Sequence, residues 1–203
     1  MIDSFILLIL NKNTILKKQT IYLFGWITLV VFPIPTFLVL GYFEEKSFSE
    51  LIDLNSILSL NNLIGILIGI IYAFIALKLL QAPVFDALPD RIESTIRAMK
   101  LSTFDMIFLS LCAGVGEELL FRVGVQYYLG PWLTAFIFVA IHGYFNPFNW
   151  RKSLYGVIVF PFILLISFAY ETFGLWFCIA AHFSYDLVLF LAIGFDEEDD
   201  VEE

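Results

Sequence analysis

Long apolar runs separated by short polar breaks set the pattern of this chain. A helix needs about 20 apolar residues to cross the hydrocarbon core of a bilayer, and several runs approach or reach that length. The first is about Ile21 to Phe43; Pro33 and Pro35 inside it remove two backbone donors, which predicts a kink or a break. The second runs from about Leu63 to Phe85, with Lys78 near its end able to snorkel outward. The third, Thr103 to about Leu129, opens on Ser102 and Asp105 at capping-box spacing. Gly130-Pro131 then predicts a tight break, with proline in the first turn of a fourth run from about Trp132 to Tyr144, extending toward Phe148. The fifth is about Leu154 to Tyr170, with Pro161 inside it, and the sixth about Phe173 to Phe195. The fold class expected is therefore all-α: a polytopic membrane helical bundle of about six transmembrane helices, forming a single domain over residues 1–195.

Between the long runs lie shorter patterned stretches. Ile6 to Leu10 is too short to span and reads as interfacial. Asp90 to Lys100 places Ile92, Ile96 and Met99 at helical spacing among Arg91, Arg97 and Lys100, which predicts a short helix on the membrane surface. In the loop Glu44 to Asn62, the residues Leu51, Ile52, Leu54, Ile57 and Leu58 form an amphipathic pattern suited to the outer surface. The first ten residues have no basic n-region and no small-residue cleavage site, so a cleaved signal peptide is not expected.

Composition agrees with this picture. Of 203 residues, 60% are hydrophobic and only 15% charged, against about 25% in soluble domains. Seven of the nine net negative charges fall in residues 196–203, a like-charge block that reads as a disordered, solvated tail. No basic patch suits nucleic acid. The lysines and arginines set an orientation: with a cytoplasmic N-terminus, inside loops collect Lys12, Lys17, Lys18, Arg91, Arg97, Lys100, Arg151 and Lys152, and outside loops only Lys46. That bias places both termini in the cytoplasm. Cys112 and Cys178 both sit in apolar runs and read as small buried hydrophobes rather than a disulfide.

One stretch breaks the apolar rule. Gly116-Glu117-Glu118-Leu119-Leu120-Phe121-Arg122 puts three ionisable side chains inside the third run, where charge is costly and marks function by default. At 100° per residue, Arg122 lies roughly 40° from Glu118 and roughly 140° from Glu117 around the helix. Glu118 and Arg122 thus form an i,i+4 pair with the glutamate N-terminal, and Glu117 is turned aside from it. A buried network in which both glutamates share the arginine is the bland alternative, disfavoured because an apolar replacement would cost less.

The chain has two histidines, both within the apolar runs. His142 shares a helix face with Phe138, and His182 shares one with Asp186. Counted from the outer helix ends at 1.5 Å per residue, Glu117 lies at ~18 Å, His142 at ~16 Å, His182 at ~14 Å and Asp186 at ~20 Å. Four polar groups from three helices at one depth describe a site, and Ala113, Gly114, Gly116, Gly124, Ala140, Gly143, Ala180 and Ala181 let the helices approach closely. A carboxylate and an imidazole can hold and deprotonate water for attack on a carbonyl, while a second imidazole can stabilise the oxyanion. Ser184 lies roughly 160° from His182 around its helix, so it is not placed as a nucleophile. The same groups, Glu117, His142 and His182, also suit a zinc ion, which accepts His and Glu and activates water; no HExxH is present, so these residues leave both forms of hydrolysis open.

The ordered motifs Glu117-Glu118-x-x-x-Arg122, Phe138-x-x-x-His142 and His182-x-x-x-Asp186 resemble those of the CAAX protease and bacteriocin-processing (CPBP, or Abi) family of intramembrane endopeptidases, which includes the type II CAAX prenyl endopeptidases. The resemblance covers about Thr103 to Phe195, which it implies is the catalytic core. It further implies a general-base role for Glu117, with His142 helping to hold the water. His182 and Asp186 would stabilise the oxyanion, and Glu118 and Arg122 would support the site with Phe138. Some members carry asparagine where this chain has Asp186, which donates a hydrogen bond only when protonated. Substrate would be a membrane-associated or lipidated protein, or a leader peptide, reaching the site within the lipid bilayer. A bacterial plasma membrane is the expected location. A non-catalytic immunity or scaffolding protein with a vestigial polar site is the reading from another class.

Overall fold

The computed structural model describes residues 18–83, 99–146 and 150–195. The interfacial stretch before residue 18, nearly all of the surface helix expected at 90–100, and the acidic tail at 196–203 lie outside the described residues. Seven α-helices carry the described chain: α1 (Lys18–Tyr42), α2 (Phe48–Ile52), α3 (Leu60–Leu80), α4 (Thr103–Glu118), α5 (Gln126–Ile141), α6 (Trp150–Phe173) and α7 (Leu175–Phe195). No strand occurs among the described residues. The protein is an all-α membrane bundle. Four helices, α1, α3, α6 over Ser153–Phe173 and α7 over Leu175–Gly194, are long and apolar enough to cross a bilayer. Their outward faces are greasy: Leu63, Leu67, Ile71 and Phe74 of α3 are all more than half exposed, as lipid contact requires.

Two expectations need correction. Pro33 and Pro35 do not break α1. The chain widens into a π-helical turn over Ile27–Val31, Phe32 N–H donates to the Ile27 carbonyl at 3.3 Å, and Pro33 then opens the next α-helical stretch from a first-turn position. The missing proline donors are absorbed where a helix start would have left donors spare. The fourth run also ends early. α5 stops at Ile141, so the part beyond Gly130 has only 11 residues, a length of about 16 Å. That is half a crossing, and His142 caps this helix instead of lying inside a span. Among the described residues four helices meet the length and apolarity of a span, with the two segments that bear Glu117 and His142 either too charged or too short to qualify.

Local chemistry explains how these two segments are placed. Ser102 and Asp105 form the capping box at the start of α4, and Asp105 also receives the Tyr22 hydroxyl and the Lys18 ammonium at 2.6 Å, tying α4 to α1. Gly116 lies against α1 so closely that a Cβ would overlap the Thr28 carbonyl. α4 leads through a π-helical stretch, Leu119–Val125, into α5. Gly130, at φ 69° and ψ 173°, turns the chain back on itself, a conformation strained for any residue with a Cβ. A straight helix would hold Phe121 and Phe138 about 25 Å apart. Their ring centroids are instead 4.8 Å apart.

α3 and α7 pack through a stripe of small residues on α3. Gly65, Gly69, Ala73 and Ala76 are its buried positions, and Cβ atoms on the two glycines would collide with the Phe177 and Ala181 carbonyls. The loop expected on the outer surface is partly docked: Leu51 is buried with Leu40, Leu119 and Leu175, and Trp176 donates to the carbonyls of Ile52 and Asp53.

Candidate active site

The polar side chains of α4, α5 and α7 meet inside this frame. Glu117, Glu118 and Arg122 are wholly buried, and His142 and His182 are 3% and 5% exposed. Glu118 lies at the centre of one group. Its Oε2 accepts from Arg122 Nε at 2.7 Å, the i,i+4 pair expected from spacing, and its Oε1 lies 2.8 Å from His182 Nδ1. Arg122 also donates from Nη1 to Ser167 Oγ at 2.7 Å, and Ser167 in turn donates to the Ile163 carbonyl. One carboxylate therefore neutralises the buried guanidinium and fixes the second imidazole.

Glu117 turns elsewhere, and its Oε2 lies 3.6 Å from His142 Nε2. Nδ1 of the same ring lies 2.5 Å from the Phe138 carbonyl one turn back, which fixes the ring as a donor through Nδ1 and leaves Nε2 facing the carboxylate. Phe138 holds the site from its middle. Its ring stacks on His142 at 4.4 Å, meets His182 edge-on at 5.8 Å, and lies 5.6 Å below the Arg122 guanidinium carbon. On α7, Asp186 Oδ2 is 3.6 Å from His182 Nε2. Ser184 points away, donating to the carbonyls of Ile66 and Ala181 in the α3–α7 contact. Cys178 and Cys112 are free and buried.

A cavity of about 60 Å³ opens beside these groups, lined by His142, His182 and Asp186 together with Tyr144, Tyr155 and Tyr185. It has room for a few waters, at roughly 10–15 Å³ each on this measure. Separations of 3.6 Å are long for direct hydrogen bonds, so each imidazole Nε2 faces its carboxylate without closing on it. The hollow can thus hold water against both imidazoles and Asp186, with the Glu117 carboxylate behind His142. Among the described residues, no three His, Cys, Asp or Glu side chains are grouped so as to hold a metal ion; His182 Nδ1 is already engaged by Glu118.

Sequence reasoning missed several contributors. Ser167 gives no signal in an apolar helix, since a lone serine there satisfies itself on its own backbone. The three tyrosines are scattered over the turn before α6, α6 and α7, and only tertiary packing brings them to one wall.

Comparison with known proteins follows the same stretch of chain. Residues 99–188 match the family model described as type II CAAX prenyl endopeptidase Rce1-like. A curated Bacillus subtilis (strain 168) relative, the uncharacterized protein YpbD, is 35% identical over 98 residues, 48% of this chain. The match covers 50% of that relative, so the chain spans about half the length of the curated protein it resembles. No solved structure matches it. The matched segment, 99–188, carries Glu117, Glu118, Arg122, Phe138, His142, His182 and Asp186, so the likeness to the Rce1-like, type II CAAX prenyl endopeptidase model falls on the residues that build the site.

Proposed function

We propose that the protein is an intramembrane endopeptidase that hydrolyses a peptide bond in a membrane-associated or lipidated protein or a leader peptide, using water activated by Glu117 and His142. The observation that carries this reading is the Glu117 carboxylate, wholly buried in a membrane bundle with His142 Nε2 3.6 Å away, where His142 also forms a wall of the hydrated-size cavity. A charge held in such a place is costly, and its position fits a general base. Glu117 takes a proton as the water oxygen bonds to the scissile carbonyl carbon, and the carbonyl electron pair moves onto oxygen. His182 and Asp186 flank that oxyanion; ionised Asp186 acts by orienting His182, and protonated Asp186 donates directly. Collapse breaks the carbon–nitrogen bond, and Glu117 returns its proton to the leaving amine. Glu118 keeps His182 in place from the opposite ring nitrogen. The setting implied is a bacterial plasma membrane with both termini cytoplasmic.

The test uses purified protein in lipid nanodiscs and two quenched fluorescent peptides, one ending in a farnesylated CAAX sequence and one its unprenylated counterpart. Glu117→Gln is expected to lose cleavage by about 10²-fold or more at an unchanged unfolding midpoint, and His142→Ala to lose it likewise with a lowered midpoint from the lost ring stack on Phe138. Cleavage retained in Glu117→Gln refutes the mechanism. Zinc activation by Glu117, His142 and His182 is the alternative form of the same reaction, and exhaustive chelation separates the two.

A further inference from the structure

We infer that Ser167 is a positioning residue: its hydroxyl, acting through Arg122 and Glu118, sets the orientation in which the His182 ring faces the cavity. The inference rests on the hydrolytic reading above for what His182 does there.

Ser167 is wholly buried on α6, a helix that brings none of the acidic or imidazole groups to the site. Its hydroxyl donates to the Ile163 carbonyl one turn back at 2.8 Å, so its proton is committed and only its lone pairs remain on offer. Arg122 Nη1 donates to them at 2.7 Å. The same guanidinium donates from Nε to Glu118 Oε2 at 2.7 Å, and Oε1 of that carboxylate lies 2.8 Å from His182 Nδ1. A continuous relay of hydrogen bonds therefore runs from α6, through Arg122 and Glu118, to α7.

Each group in the relay is flat and rigid. Held by Glu118 alone, the guanidinium would pivot about that one contact; held at Nη1 as well, it is fixed in direction and fixes the carboxylate in turn. The carboxylate decides where His182 Nδ1 points. Because the ring is rigid, that also decides where Nε2 stands, on the cavity wall and 3.6 Å from Asp186 Oδ2. Charge does not explain the serine, since Glu118 already neutralises Arg122. What the hydroxyl adds is direction.

Gln126 supplies the control. Its Nε2 donates to the Ser167 carbonyl at 2.8 Å, a second tie to α6 from one turn beyond Arg122 that bypasses the hydroxyl. Ser167→Ala and Gln126→Leu each remove one buried hydrogen bond to α6, and both are expected to lower the unfolding midpoint. Only Ser167→Ala is expected to slow cleavage of the farnesylated CAAX peptide in nanodiscs, with KM nearly constant and kcat down by about 10- to 10²-fold, the upper figure being the scale for a misplacement of ~1 Å. Ser167→Thr keeps the hydroxyl and is expected to stay near the wild-type kcat. The chain has two histidines, so ¹⁵N-histidine labelling gives two sets of ring signals, told apart by the set lost in His142→Ala. The His182 set is expected to shift in Ser167→Ala and to hold in Gln126→Leu, with the His142 set unmoved in both. An unchanged kcat in Ser167→Ala, equal kcat losses in Ser167→Ala and Gln126→Leu, a threonine variant as slow as the alanine one, or unmoved His182 signals in Ser167→Ala each overturn the inference. The ring signals need no turnover. If the wild-type protein cleaves neither peptide, the hydrolytic reading falls, while a His182 shift confined to Ser167→Ala still places that ring under the control of Ser167.

Discussion

Glu118 offers the sharpest perturbation, because a single atom change strips charge from a fully enclosed pair. Glu118 and Arg122 are both wholly buried, 2.7 Å apart, and Arg122 otherwise meets the neutral Ser167 hydroxyl and the Phe138 ring face. Glu118→Gln leaves the guanidinium in a low-dielectric interior without its counter-charge. Breaking a buried pair in this way costs about 3–5 kcal/mol. At about 2–4 °C per kcal/mol for a chain of this size, the unfolding midpoint falls by roughly 6–20 °C. Removing both charges is far milder, since well-packed apolar replacements of a buried pair are often close to neutral. The assay is therefore a double-mutant cycle in detergent, comparing Glu118→Gln, Arg122→Met and the pair by tryptophan fluorescence on heating. The double variant is expected to be more stable than the sum of the single losses. A fall under about 2 °C for Glu118→Gln, or strict additivity across the cycle, would refute the claim that these charges hold each other in the bundle.

Other expectations follow from the same geometry. Prolonged chelation of the purified protein is expected to leave cleavage of the farnesylated peptide unchanged, and loss of activity restored by added zinc would transfer the mechanism to a metal-activated water. Gly69→Ala and Gly130→Ala separate two kinds of glycine requirement. At Gly69 the new methyl collides with the Ala181 carbonyl and Ser184 Oγ, so α3 must back away from α7, at about 1–3 kcal/mol for overpacking. At Gly130 no atom lies within 4 Å, and the cost, about 1–2 kcal/mol, comes from the left-handed backbone alone. Both appear as lowered midpoints. A larger second substitution such as leucine should worsen position 69 and leave position 130 near its alanine value; equal responses at the two sites would contradict this division.

Local chemistry was legible in the sequence wherever it acts over a turn or two. The Ser102–Asp105 capping box, the Gly130-Pro131 break and the Glu118–Arg122 pair all depend on residues within five positions of one another. Ser184 facing away from His182 followed from helical angle alone. Elements that depend on distant partners were not legible in the same way. Pro33 keeps α1 continuous only because a π-helical turn precedes it, and the carbonyls of that turn meet the bare face of Gly116 on α4. The fourth run looked long enough to continue to Tyr144, yet its helix ends at Ile141 so that His142 can cap it and face Glu117. The Gly65 and Gly69 stripe was invisible as an interface until α7 lay against it.

What the one-dimensional pattern determined was therefore the class of the protein and the inventory of its polar groups: apolar runs can be satisfied only as helices in lipid, and ionisable residues within them must turn inward. The tertiary structure decided how those groups divide their work. Glu118 has two claimants, Arg122 and His182, Glu117 has His142, and Tyr185 meets the same cavity as Asp186. Such partnerships join residues up to 64 positions apart. They are set by how whole helices approach, a property of backbone contact and shape that no local periodicity encodes.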